Sequence, residues 1–231
     1  MPVLLGISPN HDQIKVGVID TGLDLNDPRF KDHLCKYGHK DFTGTGIKDT
    51  NGHGSHIVGL IQKYAENSNY CMLIYKYYSE TATGIQNMNN EINAIKEAIK
   101  NGAKIINFSS GGSTFNEEEY DLIDQNSDIT FVVAAGNESK DLDIRGNEYY
   151  PASYWLPNEV VVGNIDSYGH KANSSNWGKK VAWEKGVNVL STIPCKFHDT
   201  YCQGYMTGSS QSAATFSGKR LANKQNVGYG Q

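Results

Sequence analysis

Lys15-Val16-Gly17-Val18-Ile19-Asp20-Thr21-Gly22 is the stretch on which the reading of this chain turns. Lys15 to Ile19 is short, rich in β-branched residues and closed by turn residues, the pattern of a strand buried on both faces. Five further runs share it: Met72 to Tyr77, Lys104 to Phe108, Ile129 to Ala134, Val160 to Ile165 and Val187 to Leu190. Helical patterns lie between. Ile92, Ile95 and Ile99 fall on one face of Asn89 to Asn101, and Gly102 supplies the left-handed residue that ends a helix. Glu117, Glu118 and Glu119 put carboxylates at the positive end of the next one. Strands separated by helices predict right-handed crossovers, hence an α/β fold with a central, mostly parallel sheet and helices on both faces. Sites in such sheets lie beyond the carboxyl ends of the strands, where Asp20 falls.

A chain of 231 residues with 38% hydrophobic residues can bury one substantial core, and no repeat or linker divides it, so one domain is expected over residues 1–231. The net charge of -4 is scattered and leaves no basic stripe, which excludes nucleic acid as a partner. No apolar run approaches a membrane span, and Met1 to Gly6 is too short and lacks the charged start of a secretory signal. With Met1 as the native start the protein stays in the cytoplasm; with a start made by processing it is a secreted mature domain. A monomer is expected. Cys195 and Cys202 are close enough in sequence for a local disulfide, whereas Cys71 opens an apolar run and reads as a buried thiol. The compartment argument favours free thiols, and the lack of a C-x-x-C pair removes support for structural zinc.

Two further tracts carry chemistry: Asn51-Gly52-His53-Gly54-Ser55-His56-Ile57-Val58-Gly59 and Thr207-Gly208-Ser209-Ser210-Gln211-Ser212-Ala213-Ala214. With Asp20 they place an acid, a base and a hydroxyl nucleophile in the order Asp, His, Ser. A serine hydroxyl is a poor nucleophile until an imidazole takes its proton, and the imidazolium needs a carboxylate to hold its tautomer and charge. Alone, an Asp at a strand end is usually a cap or turn residue; the three ordered tracts change that reading. His53 and His56 are three apart, but a zinc pair of the metalloprotease kind needs four with a glutamate between. His56 therefore reads as structural, bonded to a backbone group. Ser210 sits at a helix start, where N–H groups face developing negative charge; Ser209 and Ser212 are rivals that also read as caps. Ala135-Gly136-Asn137-Glu138 forms a tight turn that presents an amide to an oxyanion.

Together these residues resemble the subtilase family of serine proteases over about Ile14 to Gly218. Val18 to Leu23 matches the family's aspartate tract almost throughout, the histidine tract differs in Ser55 for the usual Thr, and Ala134 to Glu138 carries the oxyanion asparagine motif. Asn107-Phe108-Ser109-Ser110-Gly111-Gly112 is similar to the family's strand that pairs with substrate backbone. Thr83-Gly84-Ile85 occupies the place of the strand across the groove, and Tyr150-Pro151 that of a cis proline. The departures are Ser209 for Thr, Gln211 for Met and Ala214-Thr215 for Pro-His. The resemblance implies a subtilisin-like three-layer sandwich and a triad of Asp20, His53 and Ser210 with Asn137 in the oxyanion hole. Ser109, Ser110, Gly111, Thr83, Gly84, Ile85 and Glu138 would then bind substrate. The stretch between His53 and Lys76 is shorter than in the secreted enzymes and lacks their calcium loop. No cofactor is required, and Asn67, Ser68 and Asn69 offer at most a weak calcium site.

The expected function is a serine endopeptidase acting on peptides or proteins. Glu138, Asp141, Asp143 and Glu148 near the specificity pocket predict a basic residue before the scissile bond, as in a maturation or leader-peptide protease. The alternatives are a catalytically silent peptide binder; a nucleotide binder, which lacks G-x-G-x-x-G after the first strand; and a non-peptidase hydrolase, which lacks G-x-S-x-G.

Overall fold

The computed structural model describes residues 13–65, 67–195 and 201–226. Strand β1 (Ile14–Asp20) pairs in parallel with β3 (Tyr70–Lys76) on one side and β4 (Ile105–Phe108) on the other. The two-residue β2 (Lys40–Asp41) extends the β3 edge, and β5 (Thr130–Ala134), β6 (Glu159–Ile165) and β7 (Ala182–Lys185) extend the other. The order is β2-β3-β1-β4-β5-β6-β7, with every pairing parallel. The chain reverses direction across the sheet on either side of β1, so a topological switch point lies at the carboxyl ends of β1 and β4.

Alternation along β1 sorts the layers. Val16 and Val18 face α1 (His53–Tyr64) and α4 (Ser209–Asn226), packing with Ile57, Leu60, Ile61, Ala213 and Leu221. Ile19 faces the other way, toward α2 (Gly84–Lys100) and α3 (Glu117–Asp124), with Phe108, Ala94, Ile95 and Ile123. The small residues Ser212, Ala213 and Ala214 are fully buried and let α4 press against the sheet. Gly102 ends α2's turn at φ +78°, and Asn116 caps α3 by accepting the Glu119 N–H. Among the described residues no helix is long and apolar enough to cross a membrane.

Three expectations need correction. Helix α2 begins at Gly84, five residues before the predicted Asn89, because Thr83 and Gln86 form a capping box: the Thr83 hydroxyl accepts the Gln86 N–H and the Gln86 side chain accepts the Thr83 N–H. Val187 to Leu190 is not a core strand. β8 (Val189–Thr192) pairs antiparallel with β9 (Gln203–Met206) outside the main sheet. Its polar positions face α1, where the Ser191 and Thr192 hydroxyls donate to the carbonyls of His56 and Ser55. Nor are the cysteines free thiols. Cys35 and Cys71 form a disulfide, as do Cys195 and Cys202. The first bridges 36 residues of sequence because the Cys35 N–H donates to Met72 O and brings a loop beside β3, a proximity that spacing does not encode.

Candidate active site

Asp20 ends β1 at the switch point and is 4% exposed. Its Oδ1 accepts the Thr21 N–H at 2.7 Å and lies 2.8 Å from Nδ1 of His53, the first residue of α1. Gly52, at φ +102°, turns the chain so that the ring meets the sheet edge. Burial opposes protonation of His53, but the Asp20 carboxylate, through charge and hydrogen bond, and Asp49 outweigh it and hold the pKa above the ordinary imidazole value of 6.5.

The helix start is organised by a residue that sequence reasoning passed over. Asp49 Oδ1 accepts from the Thr21 hydroxyl and the N–H groups of Asn51 and Gly52, and Oδ2 accepts both the N–H and the hydroxyl of Ser55. The Thr21 hydroxyl in turn accepts the Gly54 N–H. One buried carboxylate thus ties the end of β1 to the first turn of α1 and fixes the separation of Asp20 from His53. Asp-x-Asn-Gly before a helix was the available signal, since an Asx side chain captures the N–H groups that follow it. His56 has the structural role expected of it. Its Nε2 is 3.1 Å from the carbonyls of Val189 and Gly204, so it carries the proton and joins α1 to the β8–β9 pair.

Ser210 is the second residue of α4, and its hydroxyl donates to Ser109 O at 3.0 Å. The rival hydroxyls are occupied: Ser209 accepts the Gly136 N–H, and Ser212 donates to Glu184 O. Asn137 Oδ1 accepts the Ser209 N–H at 2.9 Å, which leaves its amide N–H₂ as the free donor end beside the start of α4. Asn176, also missed from sequence, holds the turn that carries Asn137. Its Nδ2 donates to Ala135 O and Glu138 Oε2, and its Oδ1 accepts from the N–H groups of Glu138 and Lys140.

The expected substrate residues divide. Ser109, Ser110 and Gly111 continue β4 past the sheet, and the N–H groups of Ser110 and Gly111 donate to no backbone carbonyl among the described residues. They keep an open edge for an added strand. Thr83, Gly84 and Ile85 do not form a strand: Thr83 caps α2 and its N–H is spent on Gln86. Glu138 is committed to Asn176 and the Asn137 N–H, while Asp143 accepts the Lys179 N–H and Glu148 the Gly146 N–H. The carboxylates of the acidic loop are therefore tied largely to backbone donors.

Residues 11–226 match the sequence model of the subtilase family. The chain is 33% identical over 227 residues to the major intracellular serine protease of Bacillus subtilis (strain 168), covering 89% of this chain and 66% of that protein's length. Among solved structures, a lanthipeptide protease superposes with a TM-score of 0.76 at 21% identity over 94% of this chain and 75% of that one. The nisin leader peptidase NisP from Lactococcus lactis does so with a TM-score of 0.76 at 19% identity, over 94% and 78%. By a family match that runs from before β1 to the end of α4, the chain belongs to the subtilase family.

Proposed function

We propose that this protein is a serine endopeptidase that cleaves peptide bonds by acyl transfer. The observation that carries the reading is the 2.8 Å bond between His53 Nδ1 and the buried Asp20, set at the sheet's switch point beside the start of α4. Ser210 rotates from the Ser109 carbonyl toward His53 and attacks the substrate carbonyl as His53 Nε2 takes its proton. Asp20 holds the tautomer and stabilises the imidazolium. The Ser210 N–H and the Asn137 amide hold the oxyanion, and His53 then protonates the leaving amine and activates water. Substrate pairs with Ser110 and Gly111, and the first turn of α2 forms the opposite wall. The fold shared with NisP and the lanthipeptide protease supports a narrower role in peptide maturation. One observation favours a silent peptide binder instead, namely the Ser210 hydroxyl turned to Ser109 O. A serine-directed fluorophosphonate separates the two: the peptidase is labelled at Ser210, and an unlabelled but folded protein is the binder.

The pH profile follows from His53. Its neutral form is the base, and its pKa lies above 6.5, so activity is lost as pH falls through that raised value. kcat/KM should rise with pH along one ionisation whose midpoint exceeds 6.5; a midpoint below it would show that Asp20 does not govern the ring.

Activity should also be independent of tight calcium. Only the short connection from Tyr64 to Tyr70 joins α1 to β3, and two of its carbonyls are used, Ala65 O by the Ser68 N–H and Asn69 O by the Ile14 N–H. So short a connection is not expected to wrap an ion that needs six to eight ligands. EGTA should leave the melting temperature in place, and a fall of more than roughly 4 °C would reveal a tight site.

A further inference from the structure

The two disulfides differ in what surrounds them. Cys35 and Cys71 are 6% and 4% exposed and belong to the core beside β3. Cys195 and Cys202 are partly exposed, and Cys195 lines a cavity of about 260 Å³ together with Pro194, Asp24, Lys48 and Asp49. Thiol exchange requires a thiolate to reach a sulfur atom, so a reductant in solution meets this second bridge first.

That bridge closes the neck of the β8–β9 hairpin. Its strands are joined along a short register that runs from Val189 with Met206 to Thr192 with Gln203, and a two-stranded ribbon of this size is marginal without added support. At the neck the Cys202 carbonyl accepts the Ile193 N–H at 3.0 Å and Arg29 Nη1 at 2.7 Å. Arg29 Nη2 donates to Ile193 O at 3.0 Å and pairs with Asp27. The Arg29 side chain is largely buried, so its bonds depend on the two neck carbonyls staying together.

The hairpin also touches both halves of the site. Val189 O and Gly204 O accept from His56, and the Ser191 and Thr192 hydroxyls hold carbonyls of the first turn of α1. A Cβ placed on Gly52, the turn residue before His53, would lie 3.5 Å from Pro194 Cδ and 4.0 Å from Met206 Cε. On the other side β9 ends at Met206 and runs through Thr207 and Gly208 into α4, which carries Ser210. Thr207 Oγ1 accepts the Asn188 N–H at 2.8 Å, and the Gly208 N–H donates to Gly186 O. A shift of the hairpin is therefore felt at the His53 turn and at the approach to Ser210.

We propose that Cys195–Cys202 is a thiol-exchange site through which a dithiol reductant lowers the activity of the enzyme, by freeing the neck of the hairpin that braces His53 and the start of α4. The proposal rests on the peptidase reading. One thiolate of the dithiol attacks a sulfur of the bridge and expels the other cysteine as a thiolate, which takes a proton from solvent. The reagent's second thiolate then attacks the mixed disulfide and releases the remaining cysteine, which is protonated in turn. The protein gains two electrons and two protons, and the dithiol becomes a disulfide.

The native protein, titrated with dithiothreitol and then alkylated with iodoacetamide, should be labelled at Cys195 and Cys202 while Cys35 and Cys71 stay bridged. In that state the amides of β8, β9 and the first turn of α1 should exchange hydrogen faster. Peptide hydrolysis should fall on the order of tenfold and return once oxidised glutathione re-forms the bridge. The double variant Cys195→Ser with Cys202→Ser should show the lowered rate from the start and no response to dithiothreitol. Reduction of both bridges together, hydrolysis unchanged after selective reduction, or a double variant that dithiothreitol still slows overturns the proposal; the first two are read on the wild type alone. Hydrolysis indifferent to an open Cys195–Cys202 pair leaves the peptidase standing. Faster exchange on reduction, with no hydrolysis and no fluorophosphonate labelling in either state, removes the peptidase reading and the control of activity with it.

Discussion

Ser210→Ala, His53→Ala and Asp20→Asn each lower peptide hydrolysis by roughly 10⁴ to 10⁶-fold, the range known for a subtilisin's triad, while the protein stays folded. In the proposed mechanism each substitution removes a different part of one proton path: the nucleophile, the base, or the carboxylate 2.8 Å from His53 Nδ1 that fixes its tautomer. Because the three act as a unit, the double variant Ser210→Ala with His53→Ala should be hardly slower than Ser210→Ala alone. Turnover by purified Ser210→Ala would show that another hydroxyl serves, and the engagement of Ser209 with the Gly136 N–H and of Ser212 with Glu184 O argues against both neighbours. Melting curves for all three variants separate lost chemistry from lost fold.

Asn137→Leu lowers kcat by on the order of 10² to 10³-fold with KM little changed, a magnitude known for the oxyanion asparagine of a subtilisin. The physical basis here is orientation. The Ser209 N–H holds Asn137 Oδ1 at 2.9 Å, so the amide N–H₂ is the end left to face charge that develops only in the transition state. Leucine is close in volume but offers no donor. Equal losses in kcat and in substrate affinity would mean that the residue positions substrate rather than the oxyanion.

Much of this site was legible in sequence because each residue of the proposed triad sits in a local signal. Asp20 directly follows a β-branched run, His53 lies between two glycines, and Ser210 precedes a small-residue helix. Local signals also carried the layer pattern, since alternation along β1 already divides Val16 and Val18 from Ile19. Other signals were present but outweighed. The Thr83-x-x-Gln86 box announced the start of α2, and resemblance to an extended segment displaced it. Glu91 lies three residues after Met88 and four before Ile95, on the apolar face of its helix, where a carboxyl stands out once burial is known.

Sequence by itself determined the order of acid, base and hydroxyl, five of the seven strands of the central sheet and the ends of several helices, because period, capping and turn chemistry act over a few residues. Tertiary structure alone decided that Cys35 meets Cys71 and that β8 leaves the main sheet for β9. It also decided that Asp49 and Asn176 brace the two halves of the site, and that Glu91 faces Glu119 across two helices. Each of these is a meeting of segments far apart in the chain. Which segments meet depends on strand order and on which helix covers which face, and no local run of residues encodes either.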